Sequence, residues 1–72
     1  MSSPAQEFVL KTAFIELDNL LKVLNMAHSG AEAKMLIQEG RVKVNGDVEM
    51  RVRRKLRKGD EVVFGDVCIR LK

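Results

Sequence analysis

The sequence predicts an α+β fold in which two helices precede a set of short strands. Between residues 17 and 40 the apolar residues recur every three or four positions, which is the spacing of an amphipathic helix. After residue 40, apolar and polar residues alternate, which is typical of strands. Because helices and strands are segregated along the chain, we expect a helix-loop-helix unit packed on a small, mostly antiparallel sheet.

The length of the chain limits it to one domain. A chain of 72 residues buries only about 60% of the surface of its unfolded state, which excludes a second core. Residues 1–6 are mostly small and polar, and we expect them to form a flexible tail. The single domain should then occupy residues 7–72, with a short strand within residues 8–15.

Two helices are predicted from an apolar stripe and a capping motif. The first begins at Leu17, and leucines then recur at helical spacing as far as Leu24. The second begins after Ser29, because Ser29 and Glu32 form an S-x-x-E capping box that satisfies free amides at a helix start. Gly40 is expected to end the second helix, because glycine readily adopts the left-handed conformation found there.

The strands are predicted from alternation and from turn residues. Residues 42–44 read apolar, basic, apolar, and the Asn45-Gly46 pair that follows favours a tight turn, because both residues adopt positive φ readily. Residues 61–64 and 67–71 flank a second glycine-containing turn and predict a terminal hairpin.

Positive charge is concentrated in the second half of the chain. Residues 1–40 contain three lysines and five carboxylates, whereas residues 41–72 contain ten basic and five acidic side chains. The densest part is RVRRKLRK, residues 51–58. Repulsion within such a cluster opposes folding unless an anion relieves it, and the planar fork of arginine binds phosphate oxygens in pairs. The asymmetry therefore predicts a polyanionic partner.

The side chains expected to contact that partner are the basic residues between positions 41 and 58. They are Arg41, Lys43, Arg51, Arg53, Arg54, Lys55, Arg57 and Lys58.

The composition gives little support to catalysis, metal binding or a membrane segment. His28 is the single histidine and has no evident catalytic partner, and Cys68 is the single cysteine. The sequence contains no run of 18 apolar residues, the minimum for a membrane-spanning helix. We therefore expect a non-catalytic, cytoplasmic protein with no cofactor or metal, and nothing in the sequence requires a dimer.

Three classes of polyanion can be compared with the basic residues. A lipid surface favours a basic amphipathic helix, whereas the apolar residues here alternate on strands. Single-stranded nucleic acid favours aromatic stacking platforms, but we expect Phe8, Phe14 and Phe64 to belong to the core. A folded or double-helical nucleic acid, recognised by charge and shape, is the better interpretation, and both RNA and DNA satisfy it.

The chain resembles the S4 domain, a small RNA-binding module, over residues 17–64. The motifs that carry the resemblance are the LD pair that starts the first helix and the L-I-x-x-G end of the second. The stretch G-x-V-x-V-N-G follows directly, and a G-D pair precedes a late strand. In combination these motifs are specific, and the sequence is most similar to the small stand-alone S4-like proteins of bacteria.

The resemblance implies an αL motif, that is, a helix-loop-helix followed by strands. It also implies structured RNA, such as ribosomal or transfer RNA, bound across the second helix and the first strands, with no catalysis by the domain. Many S4 domains have arginine where this chain has Glu16 and Gly30. Because Gly30 leaves the amides of the second helix open to a phosphate, Ser29 and Gly30 are expected as backbone contacts, with Lys34 one turn further on.

Two other functions are compatible with the sequence. In the first, the protein is an interaction adaptor whose terminal strand, residues 67–72, lies at a sheet edge and pairs with a partner strand. In the second, the protein is an accessory subunit that delivers RNA to an enzyme encoded elsewhere. The ribosome and an RNA-processing enzyme are the candidate protein partners.

Overall fold

The computed structural model describes residues 6–72 of the chain. In that range the elements are β1 (Gln6–Phe8), β2 (Ile15–Glu16), α1 (Leu17–Val23), α2 (Gly30–Gln38), β3 (Val42–Val44), β4 (Asp47–Val48), β5 (Lys55–Leu56), β6 (Glu61–Phe64) and β7 (Val67–Leu71). Neither of these helices is long and apolar enough to cross a bilayer. The predicted order of two helices followed by short strands is confirmed, and in place of one strand within residues 8–15 there are two, at its ends.

The strands form one larger and one smaller sheet. The larger sheet has the strand order β1-β7-β6-β3-β4, and the smaller one pairs β2 with β5. All of these pairings are antiparallel except that of β1 with β7. The prediction of a mostly antiparallel sheet is therefore confirmed.

The prediction that residues 67–72 form an edge strand is wrong. β7 lies between β1 and β6, and Gln6 pairs with Ile69 in the parallel register. The amide of Lys72 also donates to the carbonyl of Phe8 at 2.9 Å. Because β1 occupies this side of β7, the terminal strand has no open edge for a partner strand. The tail predicted at residues 1–6 lies outside the described residues except for Gln6, which begins β1.

The predicted capping of the second helix is present. The amide of Glu32 donates to Ser29 Oγ at 3.1 Å, and Glu32 Oε1 accepts a bond from the amide of His28 at 2.8 Å. At the other end of the helix, Gly40 has a φ of +76°, as a left-handed helix end requires. The two bonds made by Ser29 and Glu32 satisfy amides that would otherwise lack partners at the start of α2.

The turn after β3 has the conformation that its residues predict. Asn45 and Gly46 have φ values of +53° and +91°. The side chain of Asn45 also donates to Asp60 Oδ1 at 3.1 Å and accepts from the amide of Glu61 at 2.9 Å. Asn45 therefore serves the fold, because its amide group links the turn to the start of β6.

One hydrophobic core joins the helices to the larger sheet. Leu17, Leu20 and Leu21 of α1 are fully buried, as are Ala33 and Ile37 of α2. They belong to one cluster with the inward residues of the sheet, which are Val42, Val44, Val62, Ile69 and Leu71. Because strand side chains alternate, the residues between these inward positions lie on the outer face of the sheet, away from the helices.

The expectation that all three phenylalanines belong to the core is wrong for Phe14. Phe8 and Phe64 are partly buried and pack against the core. Phe14 precedes β2, and 38% of its surface is exposed. Its position cannot be read from hydrophobicity alone, because the two-residue strand beside it is too short to show an alternation.

The basic segment, residues 51–58, is attached to the start of α1 through its backbone. The amide of Leu17 donates to the carbonyl of Arg54 at 2.9 Å, and the amide of Asp18 donates to the carbonyl of Val52 at 3.1 Å. β5 lies within the segment and pairs with β2, which directly precedes α1. The segment is therefore fixed to the domain although most of its side chains are charged.

Leu56 is the apolar anchor of the basic segment, because it is fully buried in the core. We expect Leu56→Ala to lower the free energy of unfolding by about 2–5 kcal/mol, the usual cost of such a cavity. Val52→Ala should cost less, because Val52 is only half-buried. Urea unfolding monitored by circular dichroism measures both, and equal losses for the two variants would contradict the assignment.

Candidate nucleic-acid interface

The side chains of the basic segment surround a shallow concavity of about 490 Å³. Its lining consists of Arg51, Arg53, Arg54, Lys55 and Arg57. Among residues 6–72, no carboxylate oxygen lies within 4.0 Å of a side-chain nitrogen of Arg53, Lys55 or Arg57. These three exposed cations therefore have no ion-pair partner within the described part of the chain.

A second concavity, of about 550 Å³, adjoins the first because Arg53 lines both. Lys22 of α1 and Lys34 of α2 contribute its other positive charges, and Asp18 is the acidic residue in its lining. Gly30 lines it at the start of α2, and Lys22 Nζ lies 4.0 Å from the point that a Cβ on Gly30 would occupy. The ammonium group of Lys22 therefore lies beside the amino end of α2.

The two concavities together define one positively charged surface, which we term the basic face. It consists of Lys22, Lys34, Arg51, Arg53, Arg54, Lys55 and Arg57.

Lys22 belongs to the basic face although the sequence alone does not indicate it. The residue lies on the polar side of α1, where a lysine is ordinary. Its place beside Gly30 follows from the packing of α1 on α2, which no local pattern encodes.

The remaining predicted contacts lie outside both concavities. Arg41 pairs with Glu39 at 2.9 Å near the end of α2. Lys43 lies on the outer face of the sheet, because its neighbours in β3 are buried. Lys58 and Ser29 do not line either concavity. The structure therefore brings together most of the predicted contacts, but not these four.

Glu49 is a buried carboxylate that binds two arginines of the basic face. Its residue surface is only 8% exposed. Its Oε2 accepts from Arg51 Nε at 2.9 Å, and its Oε1 accepts from Arg51 Nη2 at 3.0 Å and from Arg54 Nη1 at 2.6 Å. The guanidinium of Arg51 is thus held by two bonds and that of Arg54 by a third, although 73% of the Arg51 side chain remains exposed.

These bonds shift the ionisation of both partners. The side-chain bond from Arg51 lowers the pKa of Glu49 to about 2 from an ordinary 4.5, and this effect exceeds the opposing effect of burial. The same bond raises the pKa of Arg51. Glu49 is therefore ionised at neutral pH, and its charge is matched by the two arginines rather than by water.

Phe14 lies beside the basic face and contacts Lys55. The ammonium nitrogen of Lys55 lies 4.9 Å from the centroid of the Phe14 ring, within the range of a cation–π interaction. In the register of the β2–β5 strand pair, Lys55 also lies opposite Glu16. Lys55 thus lies opposite the position where many S4 domains have an arginine.

The other reactive groups of the chain include its single histidine and its single cysteine. Residues 6–72 contain no group of three or more histidine, cysteine or acidic side chains arranged to hold a metal ion. Burial raises the pKa of the Cys68 thiol, and its bond to Glu61 raises it further, so the thiol is less reactive than a free one. The backbone of His28 serves the cap of α2, and its exposed side chain has no hydrogen bond within the described residues.

Comparison with known proteins extends the resemblance to nearly the whole described chain. A family model described as the S4 domain matches residues 8–72. YbcJ of Escherichia coli (strain K12) is 48% identical over 54 residues, which are 75% of this chain and 77% of the relative. YbcJ of Shigella flexneri matches to the same extent.

A solved structure agrees with the fold. The solution structure of E. coli YbcJ, described as revealing an αL motif involved in RNA binding, matches with a TM-score of 0.70 and 41% identity. The match covers 96% of this chain and 89% of the other. The helix-loop-helix on a small sheet is therefore a fold that the two proteins share.

Glu49→Gln should destabilise the protein in a pH-dependent way. Because the folded pKa of Glu49 lies below its ordinary value, its charge stabilises the fold above about pH 4.5, and this contribution is lost as the pH falls toward 2. We expect the variant to be less stable than the wild type by about 1–3 kcal/mol at pH 7. Urea unfolding at pH 7, 4 and 2.5 measures the difference, which should shrink at the lowest pH; an unchanged difference would contradict the role of the charge.

Proposed function

The chain belongs to the S4 domain family, and from this premise we propose that it binds structured RNA through the basic face without catalysing a reaction on it. The single observation that carries the proposal is the joining of two positively charged concavities through Arg53. The description of the YbcJ αL motif as involved in RNA binding supports RNA over DNA. The RNA belongs to the structured class that includes ribosomal and transfer RNA.

Unpaired cations at the centre of the basic face favour a phosphate backbone as the ligand. Arg53, Lys55 and Arg57 lie close together in the chain, and their side chains form no ion pair with a carboxylate of residues 6–72. Their mutual repulsion opposes folding, and bound phosphates relieve it. Each arginine can bind two phosphate oxygens, which fixes the orientation of the backbone as well as attracting it.

The second concavity offers backbone donors beside its positive charges. Gly30 and Ala31 line it at the amino end of α2, where amides lack partners within the helix. We assign a phosphate to this position, bound by these amides and by Lys22 and Lys34. Ser29 does not line this concavity and its hydroxyl oxygen already accepts a bond from Glu32, so we assign it to the cap of α2 rather than to the phosphate.

Arg41, Lys43 and Lys58 have a smaller part in this proposal. They lie outside both concavities, and Arg41 already pairs with Glu39. At physiological ionic strength, charges more than about 8 Å from a phosphate are largely screened. We therefore assign these residues no direct contact with the RNA and only a weak attraction that salt screens.

The sheet topology weakens the adaptor function, because β7 is interior and cannot pair with a partner strand. An accessory role uses the same basic face, with RNA brought to the ribosome or to an RNA-processing enzyme. We propose that the protein acts as a monomer in the cytoplasm, consistent with its single cysteine.

Charge reversal at the junction of the concavities should weaken RNA binding more than reversal elsewhere. We expect Arg53→Glu to lower affinity by about tenfold or more, because it replaces a phosphate contact by a like charge. Lys43→Glu is the matched control, because it changes the net charge equally on the outer face of the sheet, and it should cost less than about threefold.

Fluorescence anisotropy with a folded RNA hairpin measures both variants across a salt series. For the wild type, about four to six phosphate contacts predict a slope of roughly −3 to −5 in log affinity against log salt. A flat salt dependence, or equal losses for the two variants, would contradict binding by the basic face.

Glu49→Gln and Glu39→Gln distinguish an ordered arginine pair from net charge alone. Each variant raises the net charge by one, because it replaces a carboxylate that binds arginine with a neutral amide. Glu39→Gln should leave RNA affinity unchanged or raise it slightly, since the Glu39–Arg41 pair is exposed. Glu49→Gln should lower affinity by about threefold or more, because the fixed orientation of Arg51 and Arg54 is lost and must be restored on binding. Equal gains for both variants, measured by the same titration, would show that Glu49 only opposes the RNA.

A further inference from the structure

Phe14 presents the most exposed aromatic ring of the described chain, at the border of the basic face. The chain contains three phenylalanines and neither tyrosine nor tryptophan. Phe8 and Phe64 pack against the core, whereas Phe14 is 38% exposed. A bond from Thr12 Oγ1 to the Phe14 carbonyl, at 2.8 Å, and the start of β2 at the next residue fix its backbone.

Phe14 lies beside the β2–β5 sheet, on the same side of the domain as Lys55 of the basic face. In the β2–β5 register Ile15 pairs with Leu56 and Glu16 pairs with Lys55. Leu56 is buried, so Glu16 and Lys55 lie on the outward face, and the contact of the Phe14 ring with Lys55 places Phe14 on that side as well. Lys55 joins the two features, because its ammonium group lies over the Phe14 ring and its side chain lines the first concavity.

We propose that Phe14 is a stacking site for one unpaired nucleobase of the bound RNA. Every base has a flat π-surface, and an aromatic ring beside a basic groove is the arrangement by which proteins bind unpaired bases. Lys55 then binds the phosphate next to the stacked base, while the arginines of the basic face follow the adjoining backbone. This inference rests on the proposed function, and it narrows the class of RNA to a helix that carries an unpaired nucleotide.

The proposal explains why an aromatic ring is exposed at this position. An exposed ring next to cations gains little in the free protein beyond the contact with Lys55. We place the base on the ring face opposite Lys55, where it removes apolar surface from water while the ammonium group stays beside the ring and binds the adjoining phosphate. A purely double-helical ligand would leave the ring uncovered, because its bases are already stacked on one another.

Two RNA hairpins that differ in one unpaired nucleotide test the proposal. One hairpin is fully paired, and the other has the same stem with a single bulged adenine. Binding of both is measured for the wild type, Phe14→Leu and Phe14→Tyr, the last of which keeps an aromatic ring. Circular dichroism and thermal unfolding establish that the variants are folded, and affinity for the paired hairpin serves as an internal reference.

We expect Phe14→Leu to lower affinity for the bulged hairpin by about tenfold, the effect of losing one base–aromatic stack. The same variant should change affinity for the paired hairpin by less than about twofold, and Phe14→Tyr should behave as the wild type on both. Ultraviolet cross-linking of the wild type to the bulged hairpin, followed by mass spectrometry, should attach the unpaired adenine to Phe14.

Three results would overturn the proposal. They are an equal loss on both hairpins, no loss on either, or a loss for Phe14→Tyr as large as that for Phe14→Leu. In each of these cases salt-dependent binding by the wild type would leave the proposed function standing. If the wild type binds neither hairpin in a salt-dependent way, the proposed function fails as well.

Discussion

Two backbone hydrogen bonds join the amino end of α1 to the basic segment, and the arrangement of the whole surface depends on them. The amides of Leu17 and Asp18 donate to the carbonyls of Arg54 and Val52. Helix starts have free amides that side chains usually cap, but the residue before α1, Glu16, makes no such side-chain bond. The basic segment therefore completes the helix with its carbonyls, and its charged side chains remain directed toward solvent.

The placement of carboxylates determines which cations are available to a ligand. At the periphery each basic residue with an ion pair has its own acidic partner, as in Arg41–Glu39, Arg70–Glu61 and Lys72–Glu7. Within the basic face, by contrast, Glu49 is shared between two arginines. One buried negative charge thus orders two guanidinium groups without cancelling both, and positive charge remains concentrated where the concavities meet.

Features with local signals could be predicted from the sequence, and features made by distant residues could not. The capping box at Ser29 and the Asn45-Gly46 turn each depend on a few neighbouring residues, and both have the expected geometry. The parallel pairing of β1 with β7 joins the two ends of the chain, so no short pattern reveals it. The burial of Glu49 and the exposure of Phe14 likewise depend on tertiary packing, and hydrophobicity predicts the opposite for each.

The positions where this chain differs from many S4 domains show how a scaffold can keep a charged surface while the sequence changes. Glu16 and Gly30 lack the arginines that the resemblance suggests, yet each has a lysine beside it. Lys55 faces Glu16 across the small sheet, and Lys22 reaches the space above Gly30. Lysines of β5 and α1 therefore supply positive charge near the two positions where many S4 domains have arginine. Because most of it comes from the basic segment, the centre of the surface lies nearer the β2–β5 side of the domain, where Phe14 is exposed.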